Sequence, residues 1–211
     1  MNGKIIKAIV FDLGNVLIPF DYSIAVKRLN AIEENLGEVF LSFYKANYEL
    51  HRSFERGDLS KVKFVEVMLD ALQRKIDEET FCKIYSEIFT VNENVASLLS
   101  KLKQNYKLVL LSNTNAIHKK YGWEHYEFIK NFDKLILSNE VNAVKPEEKI
   151  YKAVEVFTGL QPEEHIFIDD VLEYVNGARK LDWDGIQFLG YENLIEEFHK
   201  RNIQFSINEN R

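Results

Sequence analysis

The chain has 211 residues, 46% of them apolar and 13% aromatic, and both glycine and proline are scarce. This composition excludes a fibrous repeat and a disordered chain, and the length allows one substantial core with a smaller insertion. The formal net charge of −6 argues against nucleic acid and anionic membranes as partners, because an acidic surface is repelled by both.

The single cysteine and the N-terminal sequence indicate a reducing compartment. Cys82 has no second cysteine with which to form an intramolecular disulfide. The apolar stretch at residues 5–11 is too short for a secretory signal, and no later run reaches the length of a membrane span. We expect a cytoplasmic protein, monomeric or weakly dimeric, with no nucleic-acid or membrane partner.

Short apolar runs rich in β-branched residues predict buried strands. In chain order they cover residues 7–11, 107–111, 134–137, 165–168 and 185–189. Amphipathic segments of helix length alternate with the later strands, for example 92–104 and 146–157, the second opening with Pro146 at a first helical position. This alternation predicts an α/β fold with a Rossmann-like, three-layer parallel-sheet core.

The gap between the first two strands predicts an inserted domain. It spans about ninety residues, far more than a βαβ crossover needs. Its apolar residues recur at helical spacing, with a turn at Arg56, Gly57 and Asp58 and Ser60 as the next N-cap. We therefore predict a core domain of residues 1–17 and 92–211, and a small α-helical cap domain of residues 18–91.

Polar residues follow the predicted strands, where parallel sheets bind their ligands. They are Asp12, Ser112, Asn113, Lys145, Asp169 and Asp170. Carboxylates placed together raise each other's pKa unless a cation neutralises them, and Mg²⁺ is the cation that prefers such oxygen ligands. Hydroxyl, amide and ammonium groups beside them would bind the oxygens of a phosphoryl group, which Asp12 could attack in line. The pattern predicts phosphoryl transfer with Mg²⁺ as cofactor.

These residues lie in segments that resemble the four motifs of the haloacid dehalogenase-like hydrolase superfamily, in its subfamily with a helical cap between motifs one and two. The segments are FDLGNVL, LLSNTN, VKPEEKIY and IFIDDVLEYVNGA, in that order. Together with FERGDLS in the insertion, the first two are similar to the sugar-phosphatase branch that includes α-D-glucose-1-phosphate phosphatase.

The resemblance implies a role for each candidate residue. It implies Asp12 as nucleophile and metal ligand, with the Gly14 carbonyl, Asp169 and Asp170 as further ligands. It also implies that Ser112 and Lys145 hold the phosphoryl oxygens, with Asn113 beside them. Dehalogenation is disfavoured, because the dehalogenases of the superfamily use no metal and do not need a paired aspartate such as Asp169 and Asp170.

Gly14 departs from the pattern, since most phosphatases of the superfamily carry there an aspartate that protonates the leaving alcohol. Such help is worth about 10²–10⁴-fold in rate. Three explanations stay open: an acidic leaving group such as an anomeric hydroxyl, a substitute acid, or a loss of efficient catalysis. The substitute could be Asp21 or a residue of the cap. Separately, the polar residues near the predicted turn of the cap could either face the substrate or form a solvated turn; they are His51, Glu55, Arg56 and Asp58.

The sequence thus predicts a Mg²⁺-dependent phosphatase. It would hydrolyse a small phosphorylated metabolite, such as the sugar phosphate glucose 1-phosphate, through an aspartyl-phosphate. The alternatives are a phosphomutase or phosphotransferase, and a catalytically weak phospholigand-binding regulatory protein.

Overall fold

The computed structural model describes residues 5–205 and is built around a five-stranded sheet. The strands are β1 (Ala8–Phe11), β2 (Lys107–Ser112), β3 (Lys134–Leu137), β4 (His165–Asp169) and β5 (Asp184–Gln187). Their order is β3-β2-β1-β4-β5, and every neighbouring pair is parallel. The predicted α/β, Rossmann-like fold is therefore confirmed.

Helices surround the sheet and fill the long gap after β1. They are α1 (Tyr22–Asn30), α2 (Leu36–Ala46), α3 (Tyr48–Arg56), α4 (Lys61–Ala71), α5 (Glu78–Ser86), α6 (Glu93–Leu102), α7 (Ser138–Val141), α8 (Glu148–Thr158), α9 (Leu172–Arg179) and α10 (Tyr191–Lys200). Single turns of π-helix and 3-10 helix occupy His118–Trp123, Glu127–Asn131 and Pro162–Glu164. Within residues 5–205, no helix has both the length and the apolar character needed to cross a membrane.

The strands alternate their side chains between two apolar clusters, as the period of a β-strand requires. Ile9 and Phe11 of β1 belong to one cluster, which α6 and α10 complete. Val10 belongs to the other, together with residues of α8 and α9. Helices therefore cover both faces of the sheet, which produces the predicted three layers.

Helix α8 begins later than the sequence predicts, because Pro146 does not start it. The helix begins at Glu148, and Pro146 lies in the turn before it. The side chain of Asn113 holds that turn: its Oδ1 accepts a hydrogen bond of 2.8 Å from the Lys145 N–H, and its Nδ2 donates one of 3.3 Å to the Lys145 carbonyl. These bonds keep the Lys145 backbone beside the end of β2 instead of in a helix.

Helices α1 to α5 enclose an apolar cluster of their own. Leu29, Phe40, Phe64 and Phe81 are among its buried members. The predicted N-cap at the start of α4 is confirmed, since Ser60 Oγ accepts a hydrogen bond of 3.2 Å from a backbone N–H of the first turn. A cluster separate from those of the sheet is what a small cap domain needs.

Two chain segments connect this helical cluster to the sheet, and they run side by side. Phe20 and Phe89 form an antiparallel bridge, and the Asp21 N–H donates a 3.0 Å hydrogen bond to the Ile88 carbonyl. The Asn92 N–H donates another, of 2.8 Å, to Leu17. We propose that the domain boundaries predicted at residues 17/18 and 91/92 lie in these paired segments.

Ser138 ties the helical cluster to the sheet a second time. Its hydroxyl is fully buried and accepts a 2.9 Å hydrogen bond from the Thr114 N–H, beyond the end of β2. The same hydroxyl lies 2.6 Å from the Glu55 carbonyl of α3 and 3.0 Å from the Thr114 carbonyl, to which it can donate. One side chain thus fixes α3 relative to the residues that follow β2.

We predict that Ser138→Ala lowers the free energy of unfolding by about 1–3 kcal/mol, because it leaves buried backbone groups without partners. Urea denaturation followed by circular dichroism measures the change. Ser97→Ala, on the exposed face of α6, is the control and should stay within about 0.5 kcal/mol of the unmodified protein. Equal effects of the two substitutions would contradict the assigned role of Ser138.

Candidate active site

The central strand places Asp12 where the strand order reverses. Phe11 pairs with Leu110 of β2 on one side and with Ile168 of β4 on the other. The Asp12 N–H continues the β4 ladder by donating a 2.9 Å hydrogen bond to the Ile168 carbonyl. This register sets Asp12 beside Asp169, in the kind of crevice where open α/β sheets bind ligands.

The Lys145 ammonium joins these two carboxylates. Its Nζ lies 2.6 Å from Asp12 Oδ1 and 2.6 Å from Asp169 Oδ2, and only 1% of the residue is exposed. The rings of Phe167 and Tyr174 lie 5.4 Å and 5.1 Å from the same nitrogen. An ammonium has three N–H groups, so one remains for a bound ligand.

Tyr174 therefore has a place in the site. Its ring lies against the buried Lys145 ammonium, where the negative face of the π-system favours a cation. The Tyr151 hydroxyl holds the Tyr174 backbone by donating a 2.8 Å hydrogen bond to its carbonyl.

Asp12, Asp169 and Asp170 form a candidate metal centre. Each offers a carboxylate oxygen, and these oxygens lie within 4.8 Å of one another. Asn15 Nδ2 donates a 3.0 Å hydrogen bond to Asp170 Oδ2, and the Val171 N–H donates one of 2.8 Å to Asp169 Oδ1, so both side chains are oriented. A set of ligands made only of oxygen atoms fits Mg²⁺.

The electrostatics of the cluster also favour a cation. Burial raises the pKa of Asp12 to about 7, with Lys145 opposing the shift and Asp169 adding to it. Burial likewise raises the pKa of Asp169. Burial would lower the pKa of Lys145, but the two carboxylates outweigh it, and the net shift is upward. A single ammonium does not balance three carboxylates, whereas an added divalent ion would.

The backbone does not explain why residue 14 is glycine. Its φ is not in the left-handed region, which in this turn is occupied by Asn15 at 55°. A Cβ at position 14 would meet nothing closer than the Phe20 ring at 3.5 Å, an ordinary contact. The Gly14 carbonyl accepts a 2.6 Å hydrogen bond from the Val16 N–H, which leaves a second lone pair for a metal.

A cavity of about 170 Å³ lies between these residues and the helices of the insertion. Gly14, Ser112 and Asn113 line it on the side of the sheet, and His51 and Glu55 line it on the side of α3. Ser112 is 2% exposed, and its hydroxyl makes only a long bond, 3.4 Å, to the Asn113 carbonyl. The hydroxyl is thus available to a ligand.

The structure separates the four polar residues near the predicted turn of the insertion that could face the substrate. His51 and Glu55 line the cavity, whereas Arg56 and Asp58 do not, since Arg56 pairs with Glu147 and Asp58 at the outer surface.

Asp21 is wrongly placed to act as an acid. Its carboxylate caps α1, accepting hydrogen bonds of 2.7 Å from the Ser23 hydroxyl and 2.8 Å from the Ser23 N–H, and these bonds lower its pKa.

Sequence reasoning missed several residues of the cavity. His118, Trp123 and the tyrosines Tyr22, Tyr44 and Tyr48 line it. Trp123 is fully buried and also forms part of the cavity wall. Aromatic residues pack in most cores, so their spacing alone carries no signal for a ligand.

Comparisons with known proteins agree with this geometry. The family model for haloacid dehalogenase-like hydrolases matches residues 6–182. The chain is 25% identical to a D-ribitol-5-phosphate phosphatase of Bacteroides thetaiotaomicron over 86% of its own length and 91% of that protein. A haloacid dehalogenase family enzyme of B. thetaiotaomicron, solved with magnesium and inorganic phosphate, aligns with a TM-score of 0.72 at 26% identity, over 86% of this chain and 93% of that one.

A further structure shares the fold. A haloacid dehalogenase-like hydrolase of Porphyromonas gingivalis aligns with a TM-score of 0.78 at 24% identity, over 95% of this chain and 99% of that one. With the family model spanning most of the chain, and the sheet, the acidic cluster and the buried lysine all in place, the protein belongs to the haloacid dehalogenase-like hydrolases.

Proposed function

We propose that the protein is a Mg²⁺-dependent phosphatase that hydrolyses a small phosphomonoester. The observation that carries this proposal is the buried Lys145 ammonium, 2.6 Å from both Asp12 and Asp169, next to the third carboxylate of the candidate metal centre. A phosphatase relative and a structural relative that contains magnesium and phosphate support it.

In this proposal Asp12 is the nucleophile. A carboxylate oxygen of Asp12 forms a bond to phosphorus while the bond to the ester oxygen breaks, and the ester oxygen leaves with a proton taken from water. Water then attacks the aspartyl-phosphate, releases inorganic phosphate and restores Asp12. Lys145 and Ser112 hold the phosphoryl oxygens, and Asn113 keeps the lysine in position through its backbone. Asp12, Asp169, Asp170 and the Gly14 carbonyl would hold Mg²⁺, which supplies positive charge to the phosphoryl oxygens.

The identity of the substrate rests on relatives and on the cavity. A sugar phosphate or polyol phosphate agrees with the ribitol-5-phosphate phosphatase relative, and glucose 1-phosphate stays a prediction from the motifs. A panel of such esters, with and without Mg²⁺, tests the proposal through phosphate release. Turnover of none of them, together with thermal stabilisation by Mg²⁺ plus inorganic phosphate, would instead favour the weak phospholigand-binding protein that Gly14 leaves open.

We predict that Asp12→Asn lowers kcat by at least about 10³-fold, because an amide oxygen is a poor nucleophile towards phosphorus. Release of p-nitrophenol from p-nitrophenyl phosphate with Mg²⁺ measures the loss. Asp70→Asn, an exposed aspartate of α4, makes the same change of charge outside the site and should keep full activity. Full turnover in Asp12→Asn would overturn the assignment of the nucleophile.

Asp170→Asn should weaken Mg²⁺ binding, because the amide carries no charge to balance the ion. We expect the Mg²⁺ concentration that gives half-maximal thermal stabilisation to rise about 10-fold or more. Differential scanning fluorimetry measures it without relying on activity, and EDTA should abolish the stabilisation in the unmodified protein. Asp182→Asn, exposed beyond the end of α9, is the matched control. An unchanged Mg²⁺ response in Asp170→Asn would contradict the proposed metal centre.

Gly14→Asp should supply the missing acid, since the position has room for a side chain. We expect kcat/KM for alkyl phosphates, whose leaving alcohols need a proton, to rise about 10- to 100-fold. The kcat/KM for p-nitrophenyl phosphate, whose leaving group needs no proton, should change little. Gly14→Asn has nearly the same shape but cannot transfer a proton, and equal behaviour of the two variants would show that protonation is not limiting.

A further inference from the structure

The cavity above the candidate phosphoryl site is electrostatically one-sided. Among the residues from 5 to 205 that line it, Glu55 is the one carboxylate, and none is a lysine or arginine. His118 adds no positive charge, because burial lowers its pKa well below the ordinary value. The nearest cation on the helical side is Arg52, whose Nη1 lies 3.8 Å from Glu55 Oε2 without lining the cavity.

A chain of buried polar contacts leads from Asn115 to Glu55. Asn115 is fully buried, and its Oδ1 accepts hydrogen bonds from the N–H groups of Ile117 at 3.1 Å and His118 at 2.9 Å. These two donors require an oxygen at that position, so the side-chain nitrogen must be the atom that faces Tyr85, 3.4 Å away. The Tyr85 oxygen is therefore an acceptor in that contact.

Tyr85 and His51 continue this chain of contacts towards Glu55. The Tyr85 hydroxyl and His51 Nδ1 lie 2.9 Å apart and share a hydrogen bond. His51 Nε2 lies 3.2 Å from Glu55 Oε1. The carboxyl group of Glu55 thus faces the cavity beside His51, and its oxygens can accept hydrogen bonds from a ligand.

Glu55 is also fixed in place relative to the phosphoryl site. Its backbone carbonyl contacts the Ser138 hydroxyl at 2.6 Å, and that hydroxyl bonds the Thr114 N–H, two residues after Ser112. The carboxylate is therefore anchored at a set position above the residues that would bind the phosphoryl oxygens.

Other residues of the cavity suit an uncharged, hydroxylated group. His118 lines the cavity, and its buried Nδ1 has no hydrogen-bond partner in the described part of the chain. Phe20, Phe89 and Trp123 offer apolar walls to the C–H faces of a carbon chain.

We propose that this cavity selects the leaving group by charge, with Glu55 as the specificity-determining residue. Glu55 accepts a hydrogen bond from a hydroxyl of a neutral polyol or sugar and repels a substrate that carries a second anionic group. This inference rests on the proposed phosphatase function and adds the class of leaving group to it.

The test compares two substrates of equal length that differ in charge. They are ribitol 5-phosphate and the corresponding aldonate 5-phosphate, in which a carboxylate replaces the terminal hydroxymethyl group. We expect the unmodified protein to favour the neutral ester in kcat/KM by about 100-fold or more, and Glu55→Gln to reduce this ratio at least about 10-fold, mainly through KM. Tyr85→Phe, which removes the hydrogen-bond partner of His51 Nδ1, should reduce the ratio less.

Glu49→Gln is the matched control, since Glu49 is an exposed carboxylate of the same helix and does not line the cavity. The ratio of its kcat/KM values for the neutral and the charged ester should equal that of the unmodified protein. A Glu55→Gln variant that loses activity equally towards both esters, or keeps the original ratio, would overturn the proposal, because a merely structural role does not change discrimination by charge.

Binding separates this proposal from the proposed function. Both esters are titrated calorimetrically, with Mg²⁺, into Asp12→Asn and into the Asp12→Asn, Glu55→Gln double variant. The titrations give the ratio of the affinities for the neutral and the charged ester without turnover. A preference for the neutral ester that depends on Glu55 supports the inference even if the phosphatase activity fails. Equal affinities for the two esters would overturn the inference even if phosphate is released.

Discussion

The buried ammonium of Lys145 is the constraint on which the rest of the site depends. A charge with 1% exposure is stable only with partners, and the partners must come from strands that are distant in sequence. Asp12 ends the central strand and Asp169 ends its neighbour, so the parallel register itself brings the two carboxylates together. The lysine comes from a turn that Asn113 holds against β2. The order of the strands, the Asn113 side chain and the ion pairs therefore depend on one another. Losing any of them would leave a charged group exposed or buried without a partner.

The fold and the centre of the site could be predicted from the sequence because both depend on local patterns. Buried strands appear in the sequence as apolar runs, and the residue that follows each parallel strand lies at the edge of the sheet where ligands bind. Contacts that depend on tertiary packing could not be predicted. The start of α8 is one example, since Pro146 satisfies the rule for a helix start but the Asn113 side chain holds the preceding backbone outside the helix. Ser138 is another, since a serine that opens a four-residue helix gives no sign that it joins Glu55 to Thr114.

The surroundings of Gly14 in the structure change the explanation for a glycine at this position. A glycine in a tight turn is commonly explained by a positive φ or a close backbone approach, and neither applies here. The missing side chain instead leaves open space next to Phe20 and the cavity. In the proposed reaction this space lies where the leaving group meets the phosphoryl site. Asp21 serves as an N-cap and so does not supply the proton. A leaving group acidic enough to depart as an anion needs none, and any other can take one from water in the cavity.

The two ends of the site have opposite electrostatic requirements, and this difference can orient a substrate. The sheet end concentrates carboxylates that call for a divalent cation, and with that cation and Lys145 present it attracts a phosphoryl group. At the other end, among the described residues that line the cavity, Glu55 is the single carboxylate, and it lies next to His51. A ligand with one anionic end and one hydroxylated end satisfies both in a single orientation, whereas a ligand with two anionic ends must bring one of them against Glu55. Substitutions in the helices of the insertion could thus change the leaving group while the strands and Lys145 keep the chemistry unchanged.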